Sequence, residues 1–261
     1  MPDMRLTVIM PFLNSPEIVR RQLLHFNKQG VNDFEDVEIF IMDDGSDPPL
    51  MSYPAIAEAA SKLDRLEIIQ TNETRPWTSS IARNIGARLA HGNWLFMVDG
   101  DFIVPRKALE EARAFDGQRV GIRRELGVLL EDGTLTQDLE VLEKWGVPKK
   151  RIEARGARMP PHPNHFIIRK DIFWMLGGYD EYRILNSTYP QGEDRLLKRL
   201  WCQARARGEV VDPDPNLRPL LYMFPNGQFC GDVDTNPFGF FHNLSRKSIR
   251  NPYIAGYRFG K

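Results

Sequence analysis

The chain has 261 residues, of which 42% are hydrophobic and 27% are charged, a balance that is typical of a soluble globular protein with a sizeable core. Lys plus Arg and Asp plus Glu are equal at 35 each, so no overall positive charge draws the chain to nucleic acid or to an anionic membrane. Its apolar runs are far shorter than the roughly 20 residues that span a bilayer, and Cys202 and Cys230 lack the spacing of a zinc cluster or a disulfide framework. We therefore expect a cytoplasmic protein with reduced thiols and no membrane span.

Short apolar runs alternate with helical patterns over the first hundred residues. This alternation is typical of right-handed βαβ crossovers and a mostly parallel sheet, and continuous apolar runs indicate strands that are buried on both faces. In such sheets ligands bind beyond the carboxyl ends of the strands. The predicted strands are Leu6–Met10, Val37–Met42, Leu66–Ile69 and Trp94–Val98.

Helices are predicted between these strands. The first has an N-cap and a first-turn proline at Ser15-Pro16 and a stop signal at Gly30. The third repeats the apolar spacing of the first. The predicted apolar stripes are Val19, Leu23 and Phe26 in the first helix and Ile81, Ile85 and Leu89 in the third.

The second half of the chain follows a different pattern. The βα rhythm ends near Pro105, so we divide one continuous domain into a Rossmann-like half, residues 1–104, and an α+β half, residues 105–261. The last fifty residues are rich in Pro, Gly, Asn and aromatic residues, which is typical of a wrapping segment or lid. The predicted elements are helix Arg106–Phe115, a strand pair over Val120–Leu130, helix Gln137–Trp145, strand Phe166–Arg169, helix Asp171–Leu176 and helix Glu193–Arg207.

Polar clusters follow three of the predicted strands, at Pro11–Asn14, Asp43–Ser46 and Asp99–Asp101. None of them matches a glycine-rich phosphate-binding loop. Alternate residues of an extended chain point the same way, so Asp99 and Asp101 could hold one hard cation that keeps positions open for a diphosphate. The structural alternative is a solvated Asp-Gly-Asp turn. The position after a four-strand parallel run favours the metal site.

Two other acidic positions also have structural explanations. Asp44 lies in an Asp-Gly turn that is expected for local reasons, or its carboxylate accepts a hydrogen bond from a base or a ribose. Glu193 and Asp194 open a helix, where acids complement the helix dipole, or a carboxylate there acts as a general base on a hydroxyl group.

Six segments of this chain, taken in order, resemble the family-2 glycosyltransferases and their relatives with the glycosyltransferase-A fold. The resemblance implies an α/β enzyme with a nucleotide-sugar donor, UDP-sugar being favoured, a divalent metal and a hydroxyl-bearing acceptor. Residues 1–104 are then the donor-binding half, and residues 105–261 the acceptor-binding half with a C-terminal lid. The segments are Thr7–Asn14, Val37–Asp47, Ser80–Ala90, Gly92–Asp101, Gly177–Glu181 and Gly192–Asp194.

The resemblance also assigns roles by motif. Asp99 and Asp101 correspond to the metal-binding DxD motif, with Asp99 also near the donor. Asp194, next to Glu193, corresponds to the catalytic base of inverting members. The expected donor-binding residues are Pro11 and Phe12 at the base pocket, Asn14 at the same strand end, Asp44 at the base or ribose, and Arg83 and Asn84 near the donor.

A late histidine completes the expected metal site. Phe173-Trp174 before the GGYDE segment resembles galactosyltransferase-like and polypeptide N-acetylgalactosaminyltransferase-like enzymes, which often add such a ligand. His242 is the natural candidate, and an imidazole ligand favours Mn2+ over Mg2+. His162 and His165 could also be ligands or bases, but a lone histidine is more often a hydrogen-bonded structural residue, and the structural role is favoured for these two.

Two departures from the family pattern leave questions open. Phe102 stands where a third acid often occurs, and the segment Tyr182–Gln191 is longer than in some relatives. The acceptor class therefore stays open among glycans, glycolipids, proteins and modified bases. Two alternative functions also remain: a glycan- or nucleotide-binding module without catalysis, and a sugar nucleotidylyltransferase, which the lack of a glycine-rich basic loop after the first strand disfavours.

Overall fold

A computed structural model describes residues 4–72, 78–150, 158–159, 165–182, 193–211 and 219–225, except for the side chains of residues 158, 159, 193 and 194. The strands in these ranges are β1 Leu6–Phe12, β2 Val37–Asp43, β3 Leu66–Gln70, β4 Trp94–Met97, β5 Phe102–Ile103, β6 Arg119–Gly121, β7 Arg123–Leu126, β8 Val128–Leu129, β9 Leu135–Thr136, β10 Arg158–Met159, β11 Phe166–Arg169 and β12 Leu220–Met223. The helices are α1 Pro16–Lys28, α2 Pro54–Ala60, α3 Ser79–Leu89, α4 Arg106–Ala114, α5 Leu139–Lys144, α6 Lys170–Met175 and α7 Glu193–Ala206, and short 3₁₀ turns cover Val31–Asp33 and Leu50–Ser52.

A six-stranded sheet in the order β3-β2-β1-β4-β11-β6 forms the centre of the protein. The first four strands are parallel, whereas β11 runs antiparallel to both β4 and β6. A smaller sheet has the order β10-β7-β12-β5, and β8 pairs with β9. The mostly parallel α/β sheet is therefore confirmed. Because β6 and β11 come from beyond residue 105, the two halves share one sheet, and the boundary at 104/105 stays a prediction.

The four strands predicted in the first half are all present, but they are not all buried on both faces. β1 and β2 are buried along their whole length. In contrast, β3 is only partly buried, with Glu67 and Gln70 exposed. This part of the prediction was wrong because β3 is an edge strand with a single neighbour in the sheet.

The helix predictions were right about position and only partly right about face. Val19, Leu23 and Phe26 of α1 are fully buried. On α3, Ile81 is buried, but Leu89 is 48% exposed, so the predicted stripe is wrong at its end. The helix instead packs through small residues and two polar ones. Besides Ile81, the buried residues of α3 are Ser80, Ala82, Arg83, Asn84, Gly86 and Ala87.

In the second half the predicted helices and β11 are present near their expected bounds. The predicted strand pair is wrong, because β6 pairs with β11 and β7 pairs with β12 and β10. β12 was not predicted, and most of the predicted lid lies outside the described residues. None of the helices in the described part of the chain combines the length and apolar character that crossing a membrane requires.

Candidate functional site

The carboxyl ends of β1, β2 and β4 meet at one edge of the central sheet. The start of β11 joins them there, because Phe166 pairs with Met97 in the antiparallel register. This pairing places His165 beside the turn that follows β4. The same edge therefore carries residues from both halves of the chain.

The Asp99-Gly100-Asp101 turn lies directly against the end of β1. A Cβ atom on Gly100 would come within 2.7 Å of the Pro11 carbonyl oxygen and 2.9 Å of the Phe12 ring, closer than such contacts allow. The backbone N–H of Phe102 donates to the Asp99 carbonyl at 3.1 Å. A glycine between the two acids is thus required by the close approach of the turn to β1.

Asp99, Asp101 and His165 could together hold a metal ion, and we call these three residues the metal group. Their ligand atoms all lie within 4.8 Å of one another, and His165 Nε2 is 2.8 Å from Asp99 Oδ2. Two carboxylates and one imidazole are a set of metal ligands that suits Mn2+. The residues present therefore fit the divalent metal that the motif predicts.

Burial shifts the pKa of two members of this group. It raises the pKa of Asp101, an effect that the positive charges of Arg124 and Arg83 partly offset. It also lowers the pKa of His165 to about 3, so the imidazole is neutral at neutral pH and keeps a lone pair for a ligand. The Phe102 ring packs edge-on against His165, with 3.9 Å between ring centroids. Phe102, at the position of the missing acid, thus supports the histidine.

Arg83 of α3 contacts the other side of Asp99. Its Nη2 donates to Asp99 Oδ1, and the side chain is 1% exposed. Its Nε has no hydrogen-bond partner among the described residues. The guanidinium carbon lies 5.7 Å from the centre of the Tyr179 ring. A buried arginine that still has an N–H group to donate is suited to a phosphate ligand.

The two acids that end β2 have different roles. Asp43 closes its own loop, because its carboxylate accepts from the backbone N–H groups of Ser46 at 2.9 Å and Leu50 at 2.8 Å. Asp44 is also buried, and it accepts a hydrogen bond from the Thr78 hydroxyl at 2.7 Å. Asp44 is thus the acid at the α3 side of the edge, and Asp43 is structural.

Three of the expected donor-binding residues are built into the edge itself. Asn14, at a φ of 46°, accepts from the Asp47 N–H at 2.6 Å and donates its own N–H to Ser46 Oγ at 2.8 Å. Pro11 is buried, and Phe12 is 3% exposed and packs in the core. These residues shape the loop that frames the edge.

Asn84 binds the GGYDE segment. Its side-chain amide binds the backbone of Tyr179 and the carboxylate of Glu181. Of the other expected site residues, Glu193 and Asp194 begin α7 with side chains that are not described. His242 lies outside the described residues, as do His162 and Gly192.

A family model described as "Glycosyl transferase family 2" matches residues 7–118. These residues contain β1, β2, α3, β4 and the Asp99-Gly100-Asp101 turn. Residues 7–118 are thus similar to glycosyl transferase family 2. A comparison with curated proteins found no match.

Solved structures resemble the chain beyond the family-2 domain. S. aureus TarS 1-349 aligns with a TM-score of 0.51 at 18% identity over 95% of this chain. The mannosyltransferase PcManGT from Pyrobaculum calidifontis, in complex with GDP-Man and Mn2+, aligns with a TM-score of 0.50 at 18% identity over 83%. A second S. aureus TarS structure gives 0.51 at 16% over 98%. The chain spans 65%, 56% and 44% of the respective chains, and at these identities the likeness concerns the fold.

The match over residues 7–118 supports the predicted family, and the central sheet confirms the predicted α/β fold. His165 is the site residue that sequence reasoning undervalued. The sequence offers only a partial signal: His165 directly precedes a short apolar strand, but the pairing of that strand with β4 is a tertiary contact. A strand added antiparallel to β4 places its first residues at the same edge as the DxD turn.

Proposed function

We propose that this protein is a metal-dependent glycosyltransferase. It moves a sugar from a nucleoside diphosphate sugar to a hydroxyl group of an acceptor. The observation that carries the proposal is the convergence of Asp99, Asp101 and His165 within 4.8 Å at the carboxyl edge of a family-2 domain. Ligands bind at this edge of open α/β sheets.

Asp99, Asp101 and His165 hold the divalent metal in this proposal, and the expected ligand His242 remains a further candidate. A divalent metal held by these residues would supply the positive charge that neutralises the departing diphosphate. The residue set contains an imidazole, which favours Mn2+. PcManGT was solved with Mn2+, which supports the same choice here.

Arg83 and Asp44 act on the donor. Arg83 fixes one oxygen of Asp99 and brings a permanent positive charge to the place where the diphosphate lies. Asp44, held by Thr78, accepts a hydrogen bond from the base or ribose. Pro11, Phe12 and Asn14 frame the edge where the donor lies in this proposal.

Asp194 is the proposed base, with Glu193 beside it at the start of α7. Its carboxylate takes the proton of the acceptor hydroxyl as that oxygen forms a bond to the anomeric carbon of the sugar. The bond from that carbon to the diphosphate oxygen breaks, and the nucleoside diphosphate leaves with the bonding electron pair. This assignment requires an inverting reaction.

The family resemblance favours a uridine nucleotide, whereas the PcManGT structure holds GDP-Man. Both bases therefore belong in the first assay. Purified protein is incubated with UDP- and GDP-sugars and Mn2+ or a chelator, and released nucleoside diphosphate is measured. We expect release from one donor class that stops with chelator. No release from any donor, with folded protein and Mn2+, contradicts the proposal.

A further inference from the structure

The side-chain amide of Asn84 is fully occupied by one short segment of the chain. Its Oδ1 accepts from the Tyr179 N–H at 3.0 Å, and its Nδ2 donates to the Tyr179 carbonyl at 2.9 Å. The second N–H of Nδ2 donates to Glu181 Oε1 at 2.8 Å. Asn84 is 1% exposed. The amide NH2 group has two hydrogens, and both are already hydrogen-bonded, so neither is left to bind a nucleotide sugar.

The segment is shaped to receive this amide. We call residues 177–181 the GGYDE corner. Gly178 has a φ of 66°, and a Cβ atom there would meet Asn84 Oδ1 at 2.9 Å and the Trp174 ring at 3.0 Å. A side chain at this position is therefore excluded both by the backbone conformation and by the contact with Asn84.

Asn84 and its neighbour Arg83 connect two parts of the site through one helix. Arg83 binds Asp99 of the metal group, and the next residue of α3 binds the GGYDE corner. The corner in turn belongs to the same hydrophobic core as α7, since Tyr179 shares a core cluster with Leu197 and Trp201. An open groove of about 430 Å³ is lined jointly by the corner, by α3 and by Leu196 and Leu200 of α7.

We propose that Asn84 is a positioning residue that fixes the start of α7, and with it Asp194, relative to the metal group. It does so by clamping the GGYDE corner to α3, and it makes no contact with the donor. This inference rests on the proposed function. It replaces the donor-binding role that the family resemblance implies for Asn84.

The test uses hydrolysis of the nucleotide sugar, in which water is the acceptor, so no acceptor needs to be known. In Asn84→Ala the start of α7 is no longer held in a fixed position relative to α3. We expect kcat for Mn2+-dependent hydrolysis to fall by about 10- to 100-fold, since a displacement on the order of 1 Å can cost this much. The donor KM and the Kd for the nucleoside diphosphate with Mn2+ should stay within about twofold of the wild-type values. Asn84 does not contact the nucleotide in this proposal, so ground-state binding is unchanged.

Two further variants separate positioning from general damage to the fold. Arg88→Gln removes the other partner of Glu181 Oε1, at 2.8 Å, but leaves the backbone clamp, and it should retain wild-type kcat. Gly178→Ala places a Cβ atom against Asn84 Oδ1 and so disrupts the same contact from the corner; it should reproduce the Asn84→Ala phenotype. Asn84→Asp keeps the acceptor for the Tyr179 N–H but faces the Glu181 carboxylate, and adding Glu181→Gln should restore part of its kcat.

The outcomes are distinct. A rise in donor KM and Kd with unchanged kcat in Asn84→Ala means that Asn84 contacts the donor, and it overturns the inference. Unchanged kcat and KM in both Asn84→Ala and Gly178→Ala also overturn it. If Asn84→Ala does not fold, the kcat of Gly178→Ala and of Asn84→Asp decides. A wild-type protein that neither binds nor hydrolyses any donor shows instead that the proposed function has failed.

Discussion

Asp101 is the residue whose chemistry the proposed metal site depends on most. It lies at the end of the turn that Gly100 allows, with a pKa that burial raises. Asp101→Asn removes one anionic ligand while preserving shape. We expect Mn2+-dependent donor turnover to fall by about 100-fold or more, since even outer partners of metal ligands are worth about 10- to 100-fold.

Asp64→Asn is the matched control for that change. Asp64 is exposed and precedes β3, at the opposite edge of the sheet. The Asp64→Asn substitution should leave both donor turnover and thermal stability unchanged. Turnover near the wild-type rate in Asp101→Asn would contradict the metal assignment.

His165 gives a second test at the scale of the residue. His165→Ala should raise the Mn2+ concentration for half-maximal turnover by about 10- to 100-fold, because it removes a ligand that lies 2.8 Å from Asp99. His242→Ala serves as the comparison. An unchanged Mn2+ requirement in His165→Ala, with a raised one in His242→Ala, means that His242 is the ligand and His165 is structural.

The two acids of this site could be predicted from sequence, and the histidine could not be chosen. Asp99 and Asp101 follow a strand with the alternation that brings two carboxylates together. His165 is 66 residues away from Asp99. Its proximity depends on the antiparallel pairing of β11 with β4, a tertiary contact that no local pattern shows.

At the scale of elements, α1 is tied to the hairpin of β8 and β9 by a buried histidine. His25 Nδ1 is 2.9 Å from the Gly133 carbonyl oxygen, and Gly133 has a φ of 80° with no room for a side chain beside His25. Burial lowers the pKa of His25 to about 4. The folded protein therefore holds this histidine neutral.

This shift makes stability depend on pH. An unfolded chain binds a proton at His25 below its ordinary pKa of 6.5, whereas the folded chain does so only near pH 4. The free energy of unfolding should therefore fall as pH drops from 6.5 to 4, by about 1.4 kcal/mol per pH unit for one proton. His25→Asn keeps an N–H for Gly133 and removes the titration, so urea unfolding should show a slope that is smaller by this amount. Equal slopes in the two proteins would contradict the account.

The element predictions differ in accuracy for physical reasons. Strands and helices of the first half follow from their apolar periods. The pattern of α3 misled the choice of face because a Cβ atom on Gly86 would come within 2.9 Å of Ile9 Cγ2, so the helix approaches the sheet through its small residues. The same approach buries Arg83, which binds Asp99 at the edge, and Asn84, which binds the GGYDE corner.

For the whole molecule, one sheet joins the two halves of the chain. β1, β2 and β4 supply the DxD turn and the Asp44 loop, and β6 and β11 add His165 from the second half. The family match ends at residue 118, so the His165 contribution comes from beyond it. The metal group is therefore a property of the complete fold.

Thermal unfolding with UDP or GDP, each with Mn2+ or with chelator, tests the central claim most directly, on wild type, Asp101→Asn and Asp64→Asn. A ligand at about a hundred times its Kd stabilises by roughly 2.7 kcal/mol, which for a chain of this size raises the midpoint by about 5 to 10 °C. The account predicts such a rise with one diphosphate, only with Mn2+, in wild type and Asp64→Asn but not in Asp101→Asn. No Mn2+-dependent rise in folded wild-type protein, or an equal rise in Asp101→Asn, contradicts it.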